Sequence, residues 1–71
     1  MVFNAIIEKD EDGYFAYVPR LDGCVSQGDS YEETLDNIKE ALELYLESLK
    51  EDERVSLSSQ KTTIAPIEVA V

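Results

Sequence analysis

The chain has 71 residues, with 16 acidic side chains against 6 basic ones and a net charge of −10. A chain this short predicts one small domain over residues 1–71. Its charge repels phosphate groups, so we expect no direct contact with nucleic acid or with an anionic membrane. A basic protein is the better electrostatic match.

The chain has no histidine, and its single cysteine, Cys24, excludes an intramolecular disulfide. The usual zinc ligands and the commonest general base are therefore missing, and we expect neither a metal nor another cofactor. The sequence contains neither a signal-peptide pattern nor 18 consecutive apolar residues. These features indicate a reducing, cytoplasmic setting.

The first 18 residues predict a β-hairpin. Residues 2–9 are rich in β-formers and apolar on both faces, which favours a central strand, and residues 14–18 form the return strand. Asp12 and Gly13 supply the turn between them. Asp10 and Asp12 could instead suggest a calcium loop, but an EF-hand needs further ligands at fixed positions that the sequence lacks.

A third short strand is predicted over residues 24–28. Pro19 removes a ladder donor and Gly23 permits a turn, so the second strand ends before them. Cys24 could be a reactive thiol, yet no histidine or basic cluster lies beside it in the sequence. The better interpretation is a small, half-buried strand residue.

A long helix is predicted over residues 30–50. Ser30 and Glu33 have the spacing of a capping box, and Gly28 permits the tight turn before it. Apolar residues then recur every three or four positions and indicate a buried stripe. The predicted core consists of Phe3, Ala5, Ile7, Leu35, Ile38, Leu42, Tyr45 and Leu46. The opposite face carries an exposed row of Asp36, Glu40, Glu43 and Glu47.

The remaining residues predict a polar loop over 50–63 and a last strand over 64–71, with Pro66 favouring an edge position. The order is then β-β-β-α-β. A right-handed crossover would place the last strand beside the first, giving the sheet order 3-2-1-4 with one helix packed on one face. The fold class is α+β, with the strand order of a partial ribonuclease-H-like sheet.

Several ordered motifs cover nearly the whole chain: Asp12-Gly13-Tyr14-Phe15, then Pro19-x-Leu21-x-Gly23-Cys24, then Gln27-Gly28-Asp29-Ser30-x-Glu32-Glu33, and finally Asn37-Ile38 with Glu40-Ala41. This pattern resembles the HicB family of antitoxins. The resemblance implies a partial ribonuclease-H-like fold and a homo-oligomer, dimer or tetramer. It also implies binding to a HicA-like toxin, a small basic ribonuclease whose active surface the antitoxin covers.

The sequence departs from the family pattern in one respect, and the family motifs suggest which residues are structural and which could bind a partner. Many HicB proteins carry a C-terminal DNA-binding domain, which the sequence to Val71 does not match, so operator binding is not carried over. Most family-motif residues have plain structural roles as turns, caps or strand ends. The motif set is Asp12, Gly13, Tyr14, Pro19, Leu21, Gly23, Gln27, Gly28, Asp29, Ser30 and Glu33. For contact with a partner, the candidates are Asp36, Glu40, Glu43 and Glu47.

Two other functions compete with the antitoxin hypothesis. A metal-dependent nuclease would need carboxylates converging from the first strand, the helix and the last strand to bind two Mg²⁺ ions. The first strand offers Asn4 in its middle and Glu8 only at its end, so we expect no catalysis. A stand-alone oligomer that regulates another protein is the alternative binding function.

Overall fold

The computed structural model describes residues 2–70. Three strands, β1 (Ile6–Asp10), β2 (Gly13–Tyr17) and β3 (Val25–Gly28), form an antiparallel sheet in the order β1-β2-β3. Helix α1 (Tyr31–Glu47) follows, and a second helix, α2 (Glu51–Ser58), comes after it. The α+β class is confirmed, as are the three-strand meander and the long helix.

The hairpin is closed by Asp10. Its carboxylate accepts hydrogen bonds from the backbone amides of Asp12 at 2.8 Å and Gly13 at 3.1 Å. The pairing begins at Ile6, which lies opposite Tyr17. If the same register continued two residues past this pair, Asn4 would lie opposite Pro19, which has no amide hydrogen to donate to the ladder. This explains why β1 is shorter at its start than the predicted strand over residues 2–9.

The link between β2 and β3 is a compact, hydrogen-bonded loop. Leu21 donates its amide to the Val18 carbonyl at 3.0 Å, and Cys24 donates to the Leu21 carbonyl at 3.1 Å. Val18 in turn donates to the Cys24 carbonyl at 3.1 Å. All three side chains are buried, so the loop closes one end of the core.

The core lies between α1 and the sheet and is formed by Ala16, Val18, Leu21, Cys24 and Ile38. The prediction of a core residue was right for Ile38. Apart from Leu35, the other residues predicted for the core are only partly buried. Phe3, Ala5, Ile7, Leu42 and Tyr45 pack against this core from its rim, and Leu46 is half-buried.

Leu35 was wrongly predicted to be in the core, because 44% of it is exposed. The helix packs mainly against β3 and β2 and touches β1 little. Leu35 faces the β1 side, where no element covers it within the described residues. The neighbouring Thr34 is fully buried instead. Its hydroxyl is satisfied there because it donates to the Ser30 carbonyl at 2.7 Å.

Helix α2 corrects the prediction of a loop over residues 50–63. Its first turn is acidic, with Glu51, Asp52 and Glu53, which suits the positive end of a helix dipole. The Lys50 amide donates to the Glu53 carboxylate at 3.0 Å. Only Leu57 packs against the core, so the weak apolar periodicity of this segment concealed the helix.

Two arginines hold α2 against the domain. Arg54 donates to the Leu46 carbonyl at 2.9 Å, at the end of α1, where backbone acceptors lack helical partners. Arg20 donates to the Leu57 carbonyl and, at 3.2 Å, to the side chain of Gln60. Its guanidinium also lies 5.6 Å from the centre of the Phe3 ring. Arg20 therefore connects the N-terminal segment, the β2–β3 loop and α2.

The predicted last strand over residues 64–71 is not found in the described part of that segment. Residues 60–70 form no strand, residues 63–70 are exposed, and Val71 lies outside the described residues. The sheet therefore has three strands, and the ribonuclease-H-like order 3-2-1-4 is not confirmed. Without a covered apolar face, this segment gains too little from burial to offset the entropy of ordering a strand.

We expect Ile38→Ala to lower the free energy of unfolding by about 2–5 kcal/mol, because it leaves a cavity in the core. The matched control is Leu44→Ala on the same helix, whose side chain is 59% exposed. That change should stay within about 0.5 kcal/mol of the parent. Urea denaturation followed by circular dichroism measures both. Equal losses in the two variants would contradict the placement of the core.

We expect Arg20→Lys to release α2, because lysine cannot reproduce the planar set of donors that bridges Leu57 and Gln60. Amide hydrogen exchange should become at least about tenfold faster over residues 51–58, since hydrogen bonds from charged groups are worth about 1.5–3 kcal/mol. Exchange over residues 31–47 serves as the internal control and should change less. Unchanged exchange in α2 would show that Arg20 does not hold it.

Candidate protein-binding surface

The four acids predicted for partner contact are all exposed on α1. We call Asp36, Glu40, Glu43 and Glu47 the acidic ridge. At about 100° per residue they fall within roughly 60° of arc, and at about 1.5 Å per residue they extend over about 16 Å. Their direction is nearly opposite to that of Ile38, which faces the core. Packing α1 on the sheet therefore directs the whole ridge to solvent.

The surroundings of the acidic ridge are mixed in chemistry. Lys39 lies on one flank and is exposed, so it adds a single positive charge. Leu44 lies on the other flank, at about 40° from Glu40, and is 59% exposed. An apolar side chain beside a row of carboxylates offers a partner both charge and apolar contact. Such a surface can bind a cationic protein.

The start of α1 fixes where the acidic ridge lies. Ser30 accepts a hydrogen bond on its hydroxyl oxygen from the Glu33 amide at 3.1 Å. The Asn37 side-chain amide donates to the Gln27 carbonyl at 2.9 Å and ties the second turn of α1 to β3. Gly28 approaches so closely that a Cβ there would lie 2.7 Å from the Thr34 hydroxyl oxygen. These contacts set the helix position on the sheet.

The family-motif residues separate into two groups. Seven of them surround a depression of about 530 Å³ between the hairpin and the start of α1: Asp12, Gly13, Tyr14, Gln27, Gly28, Asp29 and Glu33. Ser30 caps α1 beside this depression, while Pro19, Leu21 and Gly23 belong to the β2–β3 loop. The depression lies at the beginning of α1, and the acidic ridge follows along the helix.

The carboxylates do not converge in the way that a two-metal nuclease requires. Within residues 2–70, no group of three or more histidine, cysteine, aspartate or glutamate side chains is arranged to bind a metal ion. Glu8 and Glu68 are both exposed, and Glu68 belongs to the segment that forms no strand. Asp10, the candidate calcium ligand, is engaged by the hairpin turn.

Cys24 is 2% exposed, and burial raises the pKa of its thiol. A buried thiol with a raised pKa holds its proton and is a poor nucleophile. Cys24 is thus small and inert as predicted, but it is fully buried and lies just before β3, where a half-buried strand residue was predicted. In the described part of the chain, neither helix has the length and apolar character needed to cross a membrane.

Three residues of structural or surface importance were not predicted from the sequence. Thr34 and Arg20 act through long-range or buried contacts that no local pattern announces. Leu44 could have been found, because it breaks the apolar stripe and falls on the acidic side of the helix.

A comparison with family models matches residues 3–68 to the family described as HicB-like antitoxin of bacterial toxin–antitoxin systems. No solved structure matches the chain significantly. The match includes all eleven motif residues and the acidic ridge.

Several curated relatives carry the name UPF0150 protein. One from Helicobacter pylori is 66% identical over 70 residues, which cover 99% of this chain and 97% of the relative. Another, from Thermoplasma acidophilum, is 55% identical over 51 residues, covering 70% of this chain and 74% of the relative. A third, from Synechocystis, is 54% identical over 48 residues, covering 66% of this chain and 61% of the relative.

We expect Gly28→Ala to lower the free energy of unfolding by about 1–3 kcal/mol, because its methyl group would overlap Thr34. A Cβ would also lie 3.0 Å from the Thr34 backbone nitrogen, which cannot move without shifting the helix. The control is Gly23→Asn, where nothing lies near the added Cβ and only the φ of 80°, which asparagine tolerates better than other L residues, opposes the change, so its loss should be smaller. Thermal unfolding compares them. A Gly28→Ala variant as stable as the parent protein would contradict the close approach.

Proposed function

We propose, since the chain belongs to the HicB-like antitoxin family, that it binds and neutralises a small basic HicA-type ribonuclease toxin. It would act by covering the toxin and without catalysis of its own. The observation that carries the proposal is the acidic ridge, four exposed carboxylates aligned on one side of α1. We also infer a cytoplasmic location, where a ribonuclease toxin would find its RNA.

The charges of the acidic ridge favour a binding role over a purely structural one. Asp36 with Glu40, and Glu43 with Glu47, are like-charge pairs at i,i+4, each unfavourable by a few tenths of a kcal/mol. A basic partner would relieve this repulsion on binding. Complementary charge also accelerates association, most strongly at low salt. The alternative for the ridge itself is a solvated face that maintains solubility.

Self-association is a second part of the proposal. The sheet face turned away from α1 carries Phe15 at 40% exposure and Val25 at 49% exposure. The Phe15 and Tyr17 rings lie 5.9 Å apart on this face, and Ile6 is opposite Tyr17 in the register. Apolar surface of this kind in a small domain favours pairing. We infer a homo-oligomer, dimer or tetramer.

This apolar face also supports the second candidate function, a stand-alone oligomer that regulates a protein other than a toxin. The two functions differ in the partner. The test is to co-express the chain with any small basic reading frame that is encoded beside its gene. Rescue of growth and co-purification of the two proteins support the antitoxin function. Without a toxic neighbour or a basic co-purifying protein, the antitoxin function fails and the regulatory oligomer replaces it.

We expect the double charge reversal Glu40→Lys/Glu43→Lys to slow association with the basic toxin at least about tenfold at low salt, because it removes the middle of the acidic ridge. The effect should shrink as salt rises, since salt screens exposed charges. Stopped-flow or surface plasmon resonance gives the rate at two ionic strengths. Circular dichroism establishes that the fold is retained.

The matched control is Glu11→Lys/Asp22→Lys, which changes the net charge by the same amount at two exposed acids outside α1. It should slow association much less if the ridge is the contact. Equal effects of the two double variants would indicate that only net charge matters. Unchanged binding and neutralisation by Glu40→Lys/Glu43→Lys would assign the contact to the sheet or the loops.

A further inference from the structure

Residues 64–70, which we call the tail, form an apolar segment that nothing covers in the described structure. Ile64 is 56% exposed, Ile67 82% and Val69 68%. Glu68 is its only charged residue. Three of its seven residues are β-branched, and Ile67 and Val69 stand two positions apart, on one face of any strand that the segment would form. The tail therefore has the composition of a β-strand, but it pairs with no sheet in the described structure.

The dimensions of the molecule agree with a segment that stands away from the domain. The radius of gyration is 13.9 Å, and the longest dimension is 43 Å. A compact chain of this length has a radius of gyration of about 11 Å. Asn4 donates to the Thr62 carbonyl at 3.1 Å, so the chain is still held to the domain two residues before the tail. Beyond that tether residues 63–70 are all exposed.

The sheet also has an edge, along β1, at which a further strand could pair. In the described structure β1 pairs only with β2, so its outer edge presents backbone donors and acceptors without strand partners. Beside the segment that leads into this edge, between Phe3, Ala5 and α1, lies a largely apolar groove of about 430 Å³. Its apolar lining is Phe3, Ala5, Val18, Leu35, Ile38 and Leu42. A strand added along β1 would direct alternate side chains into the groove.

We propose that the tail of one copy pairs with the β1 edge of a second copy, with Ile67 and Val69 entering the groove, and that the exchange is reciprocal. This inference rests on the self-association proposed above and not on the toxin. The tail has about 23 Å of extended length, enough to pair along the segment from Phe3 into β1 that borders the groove. Burial of the groove would also cover Leu35, whose exposure is otherwise unexplained for an apolar residue on the inner side of α1.

A second copy fits better than the tail's own domain or a different protein. The tail is attached within reach of its own groove through the tether at Thr62, yet the groove remains empty of it. Each copy carries both the segment and the edge, so a two-fold exchange leaves neither unpaired. Of the acidic ridge only Asp36 lines the groove, where Lys39 lies beside it, and Glu40, Glu43 and Glu47 do not line it, so the ridges oppose the pairing little.

The test compares two double variants by light scattering and amide hydrogen exchange. The full chain should have at least twice the 8.0 kDa mass of one copy, with amides of the tail protected. Ile67→Ser/Val69→Ser should weaken self-association at least about a hundredfold and remove that protection, because four apolar side chains leave the dimer interface. The substitution adds no charge and leaves the core untouched.

The matched control is Glu68→Gln/Ala70→Ser, which alters the same strand on its other face and should preserve the oligomer. Circular dichroism confirms that each variant is folded. A parent that is a monomer with a protected tail would indicate closure within one chain and overturn the exchange. A monomer with an unprotected tail would overturn self-association as well. An oligomer that survives Ile67→Ser/Val69→Ser would retain self-association but overturn this interface.

Discussion

The close contact between the end of β3 and the first turn of α1 determines the rest of the structure. Thr34 fills the space that the missing side chain of Gly28 leaves, and its hydroxyl bonds back to the Ser30 carbonyl. Asn37 then attaches the second turn to Gln27. With these points fixed, the helix has one position and one rotation on the sheet, since a rotation would open the contact at Gly28.

That fixed rotation divides the helix into two chemically different sides. Ile38 reaches the core, while the acidic ridge is held in solvent along the full helix. The arrangement costs some helix stability through repulsion between neighbouring carboxylates. It also gives a rigid row of charges on a regular element, which loses little conformational freedom when a partner binds. Rigid presentation suits recognition better than the same charges on a loop would.

Local signals made the hairpin and the start of α1 predictable. Asp12 and Gly13 mark the turn, and Ser30 and Glu33 mark the cap, because each interaction involves residues only a few positions apart. The exposed positions of the acidic ridge followed from helical periodicity for the same reason. Their role in binding remains a proposal that periodicity cannot decide.

The failures concern residues whose environment depends on distant parts of the chain. Leu35 fits the apolar stripe, but its burial requires an element beside β1 that the described chain does not supply. Helix α2 is held by Arg20, which lies 37 residues before its partner Leu57, and by its own Arg54, which donates to the Leu46 carbonyl at the end of α1. The tail has strand composition, yet a strand needs a neighbour, and composition does not identify which chain provides it.

The burial of Cys24 has a practical consequence for spectroscopy. It is the only cysteine in the sequence, and its thiol lies inside the core with a raised pKa. A cysteine introduced at an exposed position would therefore react with a maleimide far ahead of the native one. Fluorophores or spin labels can thus be attached at a single chosen site in the folded protein without first altering its core.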